Sequence, residues 1–267
     1  MFWLNGQAAH SVSLSDRSFQ YGDGCFTTIL TRNGEPQLWS YHQQRMQACL
    51  RLLGIAEPDW QQVYAWLQAA AGSQPLAGLK LHISRGEGGR GYSPAQVNQA
   101  NITISDFDYP AHYVQWQHDG VELGVCQQRL GLNPLTAGHK HNNRLEQVIL
   151  RDEMDRAGHT DGVVLDIQNR VVETTMANLF WRQGDNWYTP DLEAAGVAGV
   201  MRRLVMELAA QNGIAIQLAQ QPLEPLLAAE EVFMTNSILT VAPIVQIDNT
   251  RFPIGTTTRK FQELINS

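Results

Sequence analysis

Short β-prone runs, several of them followed by a glycine, a proline or an Asn-Gly pair, are interspersed with amphipathic helical stretches, and the two kinds do not alternate strictly. A doubly wound parallel sheet needs regular strand–helix–strand repetition, so this order predicts an α+β fold. Phe2-Trp3-Leu4 before Asn5-Gly6 reads as a strand entering a hairpin turn, and the run from Cys25 to Thr31 before Asn33-Gly34 repeats the signal. Further strands are expected at Leu79 to Ser84, Asn101 to Phe107, Val121 to Cys126, Val163 to Asp166, Val171 to Thr174, Asn178 to Arg182, Val232 to Asn236 and Val241 to Ile247. Ser40 with Gln43 forms the pattern of a capping box for a helix running to Leu53. Other helices are expected from Asp59 to Ala71, from Gly199 to Gln211 and from Thr256 to Ile265.

One more helix, from about Asn143 to Ala157, is expected to turn Leu145, Val148, Ile149 and Met154 inward and to stop at Gly158. Lys140 stands just before it, in Gly138-His139-Lys140-His141-Asn142-Asn143-Arg144. A positive helix mouth disfavours an ammonium, so this placement favours a neutral, nucleophilic amine. A lone lysine in a loop is ordinarily solvated, and the rest of the chain has to supply the reason to read it otherwise.

A net charge of −7 argues against a nucleic-acid or anionic-membrane surface, so any anionic ligand needs a local site. No apolar run has the length of a membrane span, and the N-terminus lacks the pattern of a signal peptide. Cys25, Cys49 and Cys126 are odd in number and scattered, as expected of reduced thiols in a cytoplasm. His139 and His141 lack a third ligand at a familiar spacing, so no metal site is expected. The run from Gly86 to Gly91 matches GxGxxG but is followed by Ser93-Pro94 and a strand where a dinucleotide site needs a helix. It reads better as a mobile loop that brings Arg90 and Tyr92 over a carboxylate substrate.

Several positions gain meaning only together. Gly199 at a helix start would aim the N–H groups of Val200 and Met201 at a phosphate. Arg45, off the buried stripe of its helix, offers a bidentate charge, and Ser237 offers a hydroxyl. Glu173 at a strand end is suited to keep a pyridine nitrogen protonated.

The ordered set resembles the fold-type IV pyridoxal phosphate (PLP) enzymes, a family that holds the branched-chain and D-amino acid aminotransferases and a lyase branch. The segments that carry the resemblance are Asp16-Arg17 with Tyr21-Gly22-Asp23-Gly24-Cys25-Phe26, His42-Gln43-Gln44-Arg45, Lys140 with Asn143, Glu173-Thr174 with Ala177-Asn178-Leu179-Phe180, Gly196 to Arg202, and Asn236-Ser237. The resemblance implies PLP as cofactor, Lys140 as the lysine that carries it, Glu173 at the pyridine nitrogen, and Arg45, Val200, Met201 and Ser237 at the phosphate. It also implies a smaller N-terminal α/β domain (1–108), a linker (109–116, around Tyr109-Pro110), a larger C-terminal domain (117–267), PLP in the cleft between the domains, and a homodimer.

Family aminotransferases often carry a glutamate at the position of Thr27 and a tyrosine or leucine at that of Arg144, and the departures here follow the lyase branch. That branch converts 4-amino-4-deoxychorismate to 4-aminobenzoate and pyruvate. By this resemblance Arg90 and Arg144 are candidates for the substrate's carboxylates, with Thr28, Tyr92 and Asn236 lining the pocket. An aminotransferase of branched-chain or D-amino acids, and a non-enzymatic PLP carrier, are the alternatives.

Overall fold

A computed structural model of the chain describes residues 1–97 and 99–266. Its contacts divide it into two compact units, Met1–Tyr109 with His139–Arg144, and Pro110–Gly138 with Leu145–Ser267. Helices and strands are mixed in both, as an α+β chain requires.

The first unit holds β1 (Phe2–Leu4), β2 (Gln7–Ala8), α1 (Arg17–Tyr21), β3 (Gly24–Arg32), β4 (Glu35–Pro36), α2 (Trp39–Leu53), α3 (Trp60–Ala70), β5 (Leu76–Ser84) and β6 (Asn101–Asp108). The strands form one antiparallel sheet in the order β2-β1-β6-β5-β3-β4. Both Asn-Gly pairs make the expected hairpin turns, with φ of 49° and 79° at Asn5-Gly6 and 50° and 82° at Asn33-Gly34. One face of the sheet buries Cys25, Ile29, Leu79, Leu81 and Ile83 against Met46 and Leu50 of α2 and Val63 and Leu67 of α3. Each such aliphatic side chain contributes roughly 1.5–3 kcal/mol on leaving water.

Asp59 caps α3 by accepting from the N–H groups of Gln61 and Gln62 at 2.9 and 3.2 Å. The Ser40 capping box does not form. The helix begins at Trp39 behind Leu38, whose φ is 53° and which makes no side-chain cap. Gln37 N–H is already bonded to Leu30 O at 2.8 Å, which fixes the entry one residue early and leaves Ser40 inside the first turn.

The Lys140 segment also departs from expectation. Phe26 N–H donates to Lys140 O, and Asn142 N–H to Gly24 O, each at 3.0 Å, so residues 140–142 lie antiparallel along the open edge of β3. The next helix starts only at Leu145. A helix terminus acts over about one turn, so the dipole argument for Lys140 does not apply.

The second unit holds α4 (His112–Asp119), β7 (Val121–Leu130), α5 (Leu145–Ala157), β8 (Gly162–Asp166), β9 (Val171–Thr174), β10 (Asn178–Gln183), β11 (Asn186–Pro190), α6 (Val200–Gln211), β12 (Ile216–Ala219), α7 (Leu223–Leu227), β13 (Glu231–Asn236), β14 (Thr240–Ile247), β15 (Thr250–Arg251) and α8 (Thr256–Asn266). Its mixed sheet runs β12-β11-β10-β13-β14-β7-β8-β9, with β15 on β14. Phe180, Phe233 and Val241 of the sheet pack against Val205 of α6 and Phe261 of α8. Cys126, Val164 and Val172 meet Leu150 and Met154 of α5.

Within the stretch 109–116, His112 opens α4 and Tyr113 is buried. One local expectation is corrected here. On α5 the buried residues are Leu150 and Met154, while Leu145, Val148 and Ile149 are 71%, 61% and 49% exposed. At about 100° per residue, Met154 falls on the side opposite Leu145. Among the described residues, no helix is long and apolar enough to cross a membrane, and no group of three or more His, Cys, Asp or Glu is arranged to hold a metal.

Candidate active site

The expected site residues fall on both units, and each unit carries a coherent set. On the first, Lys140 Nζ lies 4.7 Å from the centre of the Phe26 ring. Its backbone is tied down from the C-terminal side. Asn142 Nδ2 donates to Ser18 Oγ at 2.8 Å and Asn143 Nδ2 to Gly22 O at 3.1 Å. Arg144 Nε donates to His141 O at 2.9 Å, and its Nη2 reaches His139 O at 3.5 Å. Arg144 therefore braces the lysine segment, a task that its sequence position did not disclose. Burial pushes the His141 imidazole down to about 4, helped by the charge of Arg144, and burial lowers His139 as well, so both histidines beside Lys140 are neutral near pH 7.

Alternation along β3 sends Phe26 and Thr28 to the face opposite the helices and Thr27 toward α2. Arg45 Nη2 donates to Thr27 Oγ1, and Thr27 Oγ1 lies 2.6 Å from His42 Nδ1. Burial lowers the Arg45 guanidinium to about 10. Among the described residues no carboxylate pairs with it, and its Nε is buried without a hydrogen-bond partner. A part-buried cation whose Nε is buried and unpaired is completed by an anion.

Arg90 and Tyr92 lie on the glycine loop between β5 and β6. Tyr92 is 89% exposed and meets Tyr21 edge-on at 5.6 Å. The loop is fastened by a buried arginine. Arg17, 3% exposed, donates from Nη1 to Gly88 O, Gly91 O and Ser93 O at 3.4, 3.1 and 3.3 Å, and from Nη2 to Tyr92 O at 3.2 Å. Its Nε is held by Asp23 Oδ2 at 2.8 Å, which also accepts from Arg85 Nε at 2.7 Å. Burial alone would raise the Asp23 carboxyl, but the hydrogen bonds from Arg85 and Arg17 bring it below its ordinary value.

On the second unit, Glu173 is 6% exposed, and its Oε2 accepts from Val197 N–H at 3.0 Å. Val197 belongs to a loop that Gly138 secures. Gly138 N–H donates to Gly196 O at 2.9 Å, and Gly138 O accepts from Ala198 N–H at 3.0 Å. That loop ends at Gly199, which caps α6 with no side-chain bond. The first intrahelical bond seen here is Arg203 N–H to Gly199 O, so the N–H groups of Val200, Met201 and Arg202 precede the ladder. A β-carbon at Gly199 would meet Asn178 Oδ1 at 2.2 Å, while Asn178 Nδ2 holds Val197 O at 2.8 Å. Asn236 Oδ1 accepts from Ile238 N–H and Leu239 N–H at 2.9 and 2.8 Å, shaping the β13–β14 turn that presents Ser237. The Asn236 amide Nδ2 reaches Met176 O at 3.5 Å, in the turn that follows Glu173.

A phosphate monoester on a protonated pyridine requires backbone N–H donors, a cation lacking its own counterion and a fixed carboxylate. The α6 terminus, Arg45 and Glu173 are of those kinds, and the buried, partnerless Arg45 Nε fits the group. Thr27 and His42 were legible in principle, as an inward β3 hydroxyl and a helix position one turn before Arg45. Arg17 lies in a segment that carries the resemblance, but its hold on the glycine loop was not legible, because the carbonyls of Gly88, Gly91, Tyr92 and Ser93 lie far along the chain.

Residues 24–247 match the model of the amino-transferase class IV family, and the chain belongs to that family. Within it, the chain is 52% identical to the aminodeoxychorismate lyase of Vibrio harveyi over the whole of both chains. It superposes on the crystal structure of 4-amino-4-deoxychorismate lyase from Pseudomonas aeruginosa with a TM-score of 0.93 and 36% identity, covering 100% of this chain and 98% of that one. The branched-chain amino acid aminotransferase of Escherichia coli shares the fold alone, at a TM-score of 0.86 and 21% identity, with 99% and 92% covered.

Proposed function

We propose that this chain is a PLP-dependent lyase that converts 4-amino-4-deoxychorismate to 4-aminobenzoate and pyruvate. The observation that carries the reading is the 52% identity, over full length, to a lyase of that name. PLP would be held by Lys140 at its aldehyde, by Glu173 at its ring nitrogen, and by Arg45, the N–H groups of Val200 and Met201, and Ser237 at its phosphate.

When bound, the cofactor supplies an electron sink for the pair left by deprotonation beside the substrate's amine. Lys140 Nζ takes the proton from C4 of the substrate and can return it to the departing enol, which becomes pyruvate. The C–O bond on the neighbouring carbon breaks, and the ring becomes aromatic. The Glu173 carboxylate, oriented by Val197 N–H, holds positive charge on the ring nitrogen. Arg90 and Arg144 are assigned to the two substrate carboxylates, and Thr28, Tyr92 and Asn236 to the pocket wall. We also read the chain as a cytoplasmic homodimer, which the exposed apolar row Leu145, Val148 and Ile149 supports and a mass measurement by light scattering tests.

Purified protein loaded with PLP should release 4-aminobenzoate from freshly made aminodeoxychorismate. No product above the blank, together with a shift in cofactor absorbance on adding D-alanine or a branched-chain amino acid, would instead identify an aminotransferase.

A further inference from the structure

We propose that Thr27 and His42 are positioning residues that fix the Arg45 guanidinium for an anionic oxygen, with the Thr27 hydroxyl linking the arginine to a neutral histidine in one direction only. The proposal deepens the cofactor reading and rests on it. Arginine has no acceptor, so Arg45 Nη2 must donate to Thr27 Oγ1. The single hydroxyl proton of Thr27 then has to point elsewhere, and His42 Nδ1 lies 2.6 Å away. That nitrogen accepts only when it carries no proton, which places the imidazole proton on Nε2. Burial and the adjacent Arg45 charge both keep His42 neutral, well below its ordinary value.

The consequence is directional. With its proton committed to His42, the hydroxyl turns its lone pairs on Arg45 and holds that edge of the guanidinium in place. Of the donors that remain, Nε is buried and has no partner among the described residues. A protonated His42 would reverse the link and set a second cation beside the first. Thr27 and His42 are 0% and 1% exposed, so neither is accessible to a substrate, and they act through Arg45.

The test is equilibrium binding to the apoprotein, followed by absorbance and fluorescence, of PLP and of pyridoxal, which lacks the phosphate. Thr27→Val keeps the shape and removes the hydroxyl. It should weaken PLP about tenfold or more, the range of a charge-assisted hydrogen bond. Its pyridoxal affinity should stay that of the wild type. Thr27→Ser should restore PLP binding to within about threefold. His42→Gln, which can still accept from the hydroxyl, should bind PLP better than His42→Leu, and this pair serves if Thr27→Val does not fold. Wild-type PLP affinity in Thr27→Val, or equal losses for PLP and pyridoxal, would overturn the proposal and leave the cofactor reading intact. A wild-type protein that binds neither would remove both.

Discussion

Gly199 shows how much the role of one residue depends on a neighbour remote in sequence. From its own segment it reads as a plain helix cap, and its absent β-carbon looks like a matter of conformational freedom. Its φ of −68° is one any residue can adopt. What excludes a side chain is Asn178 Oδ1, 2.2 Å from where a β-carbon would sit, on an amide already committed to Val197 O. Gly199→Ala must push that amide aside or shift the start of α6. It is expected to cost about 1–3 kcal/mol of stability and to weaken phosphate binding through displaced Val200 and Met201 N–H groups. Urea unfolding and PLP titration check both effects, and an unchanged midpoint would refute the steric argument. Lys140, Glu173 and Arg45 stood out through family pattern, whereas the bond that orients Glu173 comes from the backbone of Val197, whose type carries no chemical signal.

Among the elements, regular periodicity was a good guide and irregular backbone a poor one. The expected α3, α6 and α8 and both Asn-Gly hairpins appear within a few residues of their expected bounds, because their information is local. The strand-like segment 140–142 was invisible, since three polar residues have no period and their partner strand begins more than a hundred residues earlier. The glycine loop was expected to be mobile, yet it wraps its carbonyls around the Arg17 guanidinium. A lysine has one ammonium with three donors and cannot serve a carboxylate and four carbonyls spread in a plane. Arg17→Lys should therefore release the loop, with trypsin cleaving after Arg85 or Arg90 at least several times faster than in the wild type. Equal cleavage rates would mean that the loop is held by something other than the fork of Arg17.

For the whole molecule, burial of neutral histidines sets a direction for acid stability. Burial depresses His42 well below the ordinary imidazole range and His82 to about 4. In the unfolded chain both take up protons as pH falls through about 6.5, and in the folded chain they do not. The unfolded state then binds more protons, so stability drops with falling pH from about 6.5 toward 4, with a slope of at most about 1.4 kcal/mol per pH unit for each group. Asp161, whose buried carboxyl is raised, works against this trend. Denaturant unfolding between about pH 8 and pH 5 measures the sum, and a midpoint that does not move would contradict it.

The piece of chain bearing Lys140 has its contacts in one unit while both of its flanks belong to the other. A gene cut after Tyr109 would therefore not yield two self-sufficient halves. The leading fragment would display a bare strand margin at Gly24 to Phe26, open to pairing with any passing chain. The trailing fragment would carry Lys140 on a tether deprived of its seat. Mixing the two fragments should then be needed before either behaves as a folded, soluble partner.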